Sequence, residues 1–298
     1  ACSWARSSFP NGECSNWGNP QSEIYFVALR YLAGQSATSA YSATDSSRIS
    51  GLTNPGWSDP ISASNYCAAV NVIQFNASTS SYDGDDLSAT NDIGLANVNN
   101  STDTVGVGEG LDGNSYFVGE NGTDNNQLCT AKTVSGLSNV KGTCPDAPRL
   151  EGTYKIAGLA RHARTTALRV SPANTKRVKT YGVALAPAIP KVEVAVPGLS
   201  RKITILPACR NNQTNPDANC AIVDFKIVEQ STSASANTGT LYVNWEDSEQ
   251  GGDYDQDMWG TIEWSYNPVN QKITVTTNAV SQSTANPILV QFGLGMSF

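Results

Sequence analysis

The sequence predicts an α+β protein, an α/β half over residues 1–189 followed by a β-rich, sandwich-like half over residues 190–298. Three observations carry this expectation. The runs "NPQSEIYFVALRYLAGQ" and "PRLEGTYKIAGLARHARTTALR" read as helices, the first with a clear helical spacing of apolar residues. The short apolar runs "VNVIQF" and "VKTYGVALA" read as strands between and after them. From about residue 190 the chain changes to strand-like runs separated by Gly, Pro, Asn and Ser, without helix signals. The stretch from Pro187 to Pro197 marks the boundary.

In the first helix Asn19 stands where a cap is needed and Pro20 suits the first turn. Ile24, Val27, Ala28, Tyr31 and Leu32 form the apolar stripe, and Gly34 can end the helix. A polar stretch with Pro55 and Pro60 leads to "VNVIQF", and "NASTSSYDGDDLS" follows as a loop of hydroxyls and carboxylates. Residues 88–128 are rich in Gly, Asn and Asp with weak periodicity, which reads as a long, locally structured loop. In the second helix the small residues Ala157, Gly158, Ala160 and Ala163 would allow close packing on a sheet. The runs "KVEVAV", "KITIL", "AIVDFKIVE", "TLYVNWE", "WGTIEWSY", "QKITVTT" and "PILVQF" then read as strands, many of them alternating.

Composition narrows the function classes. A net charge of −7 argues against nucleic acid or an anionic membrane as main partner, because phosphate binding needs clustered Lys and Arg. The basic stretch "RHARTTALR", followed by "TKRVKT", is short and reads as the outer face of a helix. Charged residues make up only 15% of the chain, so its surface is expected to be hydroxyl and amide, as in exported β-rich proteins. No apolar run approaches the roughly 20 residues that span a bilayer. The opening "ACSWARSSFPNGEC" lacks a leader pattern, so an exported protein is read here as a processed or partial chain.

Six of the seven cysteines fall into close sequence pairs, Cys2/Cys14, Cys129/Cys144 and Cys209/Cys220, each around a loop-rich segment. Disulfides of this kind contribute roughly 3 kcal/mol each by loop entropy and belong in an oxidising compartment. Cys67 is left over and reads as a buried thiol, with a partner outside this chain as the alternative. There is no C-x-x-C, and His162 is the single histidine, which argues against a structural zinc site and against a catalytic triad. His162 lies among arginines and reads as a surface residue.

The densest charge is in "WEDSEQGGDYDQDMWG", with six carboxylates and no Lys or Arg. Asp253, Asp255 and Asp257 alternate as the first ligands of a calcium loop do, and Asp247 or Glu246 stands near enough to join them. An EF-hand needs Gly and Glu where Met258 and Trp264 stand, so the candidate is a non-EF Ca2+ site, weighed against a solvated hairpin turn. Trp245 and Trp259 bracket this stretch and would anchor it. In "SYDGDDLS", Asp83, Asp85 and Asp86 follow a strand end, where open α/β sheets bind ligands; an Asp-Gly turn is the plainer reading. No G-x-S-x-G, H-E-x-x-H or Walker loop occurs, and nothing in the crowded acids marks out a glycosidase pair.

Long stretches carry a resemblance. "NWGNPQSEIYFVALRYLAGQSATSA", "NYCAAVNVIQFNASTSSYDGDDL", "QLCTAKTVSGLSNVKGTCPDAPRLEGTYKIAGLARHAR", "KTYGVALAPAIPKVEV" and "NWEDSEQGGDYDQDMWGTIEWSY" resemble the PilC/PilY family of type IV pilus biogenesis factors and tip adhesins. The resemblance implies that residues 1–189 are the later part of a von Willebrand A-like fold, ahead of a C-terminal β-propeller outside this chain. It also implies a secreted protein at the pilus tip, working with minor pilins in assembly, adhesion and twitching motility. A von Willebrand A metal site uses D-x-S-x-S, which is absent; "DSSRIS" at Asp45 has the wrong spacing. Where relatives run from an apolar strand into Asp-Gly, this chain has Asn76, which brings no charge to a cation.

The expected function is therefore adhesion and pilus assembly by binding rather than catalysis, with minor pilins and host or abiotic surfaces as partners. A structural subunit of an extracellular filament is the main alternative, and a carbohydrate-active enzyme a further one.

Overall fold

The computed structural model describes residues 19–38, 46, 49–53, 56–76, 79–127, 129–144, 151–169, 176–185, 192–196, 200, 202–211, 221–233, 237–246, 258–282 and 290–297. The first helix, α1 (Gln21–Leu32), starts directly after Pro20 and ends where Gly34 turns to a left-handed φ of +75°. Its buried face is Ser22, Tyr25, Phe26, Leu29 and Arg30, while Ile24 is 50% exposed. The helix is thus rotated from the expected stripe. Both stripes satisfy the helical period, and the deciding feature is that the polar members of the buried face have partners. Arg30 reaches Asp92 and the Ser36 carbonyl (3.0 Å), and lies over the Phe26 ring.

Strand β1 (Val70–Asn76) pairs in parallel with β6 (Val178–Ala184), in register from Val70↔Val178 to Asn76↔Ala184. Tyr25 on α1 bonds Thr180 on β6 (2.5 Å), which fixes the helix to the sheet. The outward side chains Ile73, Phe75, Tyr181, Val183 and Leu185 are largely exposed, so the pair is covered on one face. Parallel pairing ordinarily comes with both faces covered.

Residues 88–128 hold more structure than the loop expected from composition. A 3-10 turn, Thr90–Ile93, precedes helix α2 (Val98–Gly108), and strands β2 (Ser115–Val118) and β3 (Glu120–Asn121) follow. The α2 sequence, "VNNSTDTVGVG", has poor helix formers throughout. Two things offset that: Asn97 caps it by accepting from the Asn100 N–H (3.0 Å), and α3 (Lys155–Thr165) packs against it. Gly158 on α3 meets Thr102 on α2 so closely that a Cβ would lie 2.3 Å from Thr102 Oγ1 and 2.7 Å from its backbone N. The small residues of α3 therefore serve a helix contact as well as a sheet. Tyr25, Phe26, Leu29, Ile93, Leu159, Ala163 and Val178 share one core here.

Strands β4 (Thr130–Thr133) and β5 (Val140–Lys141) pair with β2 and β3, respectively. Cys129 and Cys144 are bonded to each other across this small region.

From residue 192 on, two antiparallel sheets face each other. One has β7 (Val192–Ala195), β8 (Lys202–Asn211) and β13 (Val290–Ser297) in the order β13-β8-β7. The other has β9 (Ala221–Thr232), β10 (Asn237–Glu246), β11 (Met258–Asn267) and β12 (Lys272–Ser281) in the order β12-β11-β10-β9. Each strand-like run of the sequence after residue 190 overlaps one of these strands. Alternation does the sorting: Val192, Val194, Ile203 and Ile205 from one sheet meet Leu241, Val243, Trp245, Ile262 and Trp264 from the other. Gly239 on β10 leaves room for the Trp264 ring, which a Cβ there would approach to 2.1 Å.

Substituting Gly158→Ala is expected to cost about 2 kcal/mol, because the close approach of α3 to α2 leaves no room for a methyl group. Urea unfolding monitored by circular dichroism measures this, with the exposed Gly110→Ala, whose φ is +68°, as a strained but uncrowded comparison.

Candidate functional site

The residues singled out after β1 sit at its carboxyl end, beside the start of α1. Asp83 is 4% exposed, while Asp85 and Asp86 are exposed. One oxygen of Asp83 accepts from the Ser22 N–H (2.6 Å); the other accepts from the hydroxyls of Ser22 (2.8 Å) and Thr153 (2.7 Å). Asp83 thereby caps α1 from 61 residues away. Asn19, the expected cap, is used elsewhere. Thr153 Oγ1 in turn accepts from the Lys155 N–H (3.3 Å), so the same carboxylate orders the start of α3.

Glu23 lies beside this cap and is 7% exposed. Its Oε1 accepts from the N–H groups of Gly84 (2.5 Å) and Asp86 (3.3 Å), while Oε2 has no hydrogen-bond partner. Burial, together with the neighbouring Asp83 carboxylate, raises the Glu23 pKa from 4.5 to about 7. Lys155 Nζ donates to the Gly84 carbonyl (2.6 Å) at the loop's outer side. Tyr82 and Glu151, which flank the clasp, both take positive φ (46° and 50°), and the Asp83 N–H reaches the Glu151 carbonyl (3.4 Å). Left-handed backbone costs a non-glycine residue about 1 kcal/mol or more, so the contacts of the clasp hold it there. Gly152 permits the close approach: a Cβ would stand 2.1 Å from the Ser80 carbonyl oxygen.

Next to the acids runs a chain of neutral amides. Gln74 Nε2 donates to Gln21 (2.5 Å), Gln21 donates to Asn19, and Asn19 Nδ2 donates to Asn76 Oδ1 (2.9 Å) and the Thr79 carbonyl (3.1 Å). Asn76 therefore has its amide oxygen engaged by another amide. Cations prefer charged oxygens, and among the described residues no group of three or more His, Cys, Asp or Glu could hold a metal ion.

Other sequence candidates fall as follows. Asp247, Asp253, Asp255 and Asp257 lie outside the described residues. Their flanks are placed: Trp245 pairs with Met258, so the acidic stretch joins β10 to β11, and Trp245 is buried while Trp259 lies 6.0 Å from Tyr242. Cys2, Cys14 and Cys220 also lie outside the described residues, and only the backbone of Cys209 is described, in β8. Cys67 is free and exposed, not a core thiol; it lies in a turn ahead of β1 in which its apolar neighbours Tyr66, Ala68 and Ala69 are exposed as well, so nothing there folds over the thiol. His162 is buried, not on the surface, because it faces inward on α3 and its Nε2 meets the Ile93 carbonyl (2.8 Å). Glu23 is the residue that sequence reasoning missed. An acid in the first turn of a helix is ordinary, and nothing local marks it as buried.

Residues 1–163 match the family described as "PilY1 homolog, second domain". The chain is also similar to the type IV pilus biogenesis factor PilY1 homolog of Xylella fastidiosa (strain Temecula1), at 29% identity over 94% of this chain. It spans 22% of that protein's length. No solved structure matches the chain.

Replacing Asp83 by Ala is expected to destabilise the chain by about 3 kcal/mol, since Ser22 and Thr153 would keep buried donors without an acceptor. Asp85→Ala, on the exposed side of the same loop, is expected to change stability by less than about 0.5 kcal/mol. Equilibrium denaturation of the two variants side by side measures the difference.

Proposed function

The chain belongs to the family of PilY1 homologs, and from that membership we propose that it is part of an extracellular type IV pilus factor that acts by binding, in pilus assembly and adhesion at the pilus tip. The observation that carries the reading is the match to the family over residues 1–163, supported by the similarity to the Xylella biogenesis factor along nearly the whole chain. Its partners in this reading are minor pilins or the pilus tip, and host or abiotic surfaces; its place is the cell surface, reached through the periplasm.

Several features support binding over turnover. The acids at the carboxyl end of β1 are used to cap helices and hold a loop, which leaves Asp83 fully engaged by donors from its own chain. The Cys129–Cys144 bridge suits a protein exposed to an oxidising environment. In the same reading, the parallel β1–β6 pair with α1 and α3 beside it belongs to the later part of a von Willebrand A-like fold, and the two facing sheets form the sandwich that follows it. No helix among the described residues is long and apolar enough to cross a membrane.

The test uses the full-length protein, tagged at a site outside these residues, in the bacterium that makes it. Deleting the segment that corresponds to this chain is expected to abolish surface pili and twitching, and the intact protein is expected to co-purify with minor pilins from sheared pili. Normal piliation after the deletion would overturn the reading.

Calcium is part of this proposal through Asp247, Asp253, Asp255 and Asp257. Adding millimolar Ca2+ to chelator-treated protein is expected to raise Tm by several degrees, and Asp255→Ala to remove the response. An unchanged melting curve would remove calcium from the reading and leave the pilus role standing.

A further inference from the structure

A second role for the clasp follows from its hydrogen-bond count. The donors that face the acid pair divide unequally. Asp83 accepts three hydrogen bonds, from the Ser22 N–H and from the Ser22 and Thr153 hydroxyls. Glu23 accepts backbone N–H groups on Oε1 alone, and its Oε2 is buried without a donor. The two acids interlock: Ser22, next to Glu23, donates to Asp83, and Gly84, next to Asp83, donates to Glu23. Two bare carboxylates so placed, both nearly buried, would repel each other. One proton on Glu23 resolves both difficulties, because a carboxylic acid donates where a carboxylate can only accept.

We infer that Glu23 holds a proton beside Asp83, and that loss of this proton loosens the loop over residues 79–86 at the carboxyl end of β1, making the loop a pH-sensitive latch. The other charged groups around the pair leave this arithmetic intact. Asp85 and Asp86 point to solvent, Lys155 lies on the Gly84 carbonyl, and Glu151 is paired with Lys141 (3.3 Å). Further along α1, Arg30 is paired with Asp92.

The direction follows from linkage. When the latch opens, Glu23 returns toward its ordinary pKa of 4.5; in the closed form its pKa is about 7. Between these values opening releases a proton, so the closed form loses ground as pH rises, by about tenfold per pH unit. Above the closed-form value both states are ionised and the dependence stops. The latch is tightest in mildly acidic surroundings and loosest from neutrality upward.

Two measurements on the chain test this. Amide hydrogen exchange at Gly84 and Asp86, the two N–H groups held by Glu23, is expected to show protection factors that fall about tenfold per pH unit from pH 5 to 7 and level off above. Val243, in the sandwich core, is expected to stay flat over the same range. In Glu23→Gln, whose amide donates at every pH, the slope at Gly84 and Asp86 is expected to vanish. Carbon-13 titration of the unsubstituted chain gives a reading independent of that variant: the Glu23 carboxyl signal is expected to titrate near pH 7. A Glu23 signal that titrates near 4.5, or a slope that survives in Glu23→Gln, would overturn the inference. So would Ca2+ at pH 8 restoring the protection seen at pH 5, since the pair would then hold a cation and not a proton.

Discussion

The Asp83 carboxylate accepts hydrogen bonds from Ser22 and Thr153, residues 61 and 70 positions away in the chain, and so fixes where two helices begin. A helix start exposes N–H groups that must find acceptors. In α1 one of them finds it in the loop that follows β1, and α3 reaches the same loop through Thr153. The parallel strand pair, the two helices and the loop are in this way bound through one charged group. Its loss would leave several buried donors without partners at once, whereas most single contacts in the core involve two residues.

The β-rich half is held by a different means. There the side chains that face inward alternate with those that face out, and the two sheets meet over Trp245, Trp264 and the aliphatic residues around them. Among the described residues, this packing is apolar and not built around a charged group. Burial of apolar area, roughly 25 cal/mol per Å2, is spread there over many residues.

These two modes explain which parts were legible from the sequence. Strands such as β11, with its alternating burial, repeat their signal every second residue and need no knowledge of distant partners. The Cys129–Cys144 pairing was suggested by proximity along the chain. Helix α2 was hidden, because Asn, Thr and Gly favour loops and its helix depends on the Asn97 cap and the contact with α3. The face of α1 was misassigned since Arg30 and Ser22, polar in the sequence, are buried through partners far away. Glu23 escaped notice for the same reason. His162 looked like a surface residue among arginines until its carbonyl partner on Ile93 was known. Family resemblance rested on long stretches and survived these local errors.

The spacing of these links also bears on the order in which the chain comes together. Cys129 and Cys144 are separated by 15 residues, so the ends of that loop meet at small entropic cost, early and without help from the rest of the molecule. The contact between Thr153 and Asp83 spans 70 residues and includes the chain that forms β2 to β5. With the smaller ring closed, the span left for the larger one is shorter, so the bridge lowers the entropic cost of bringing Thr153 to its acceptor.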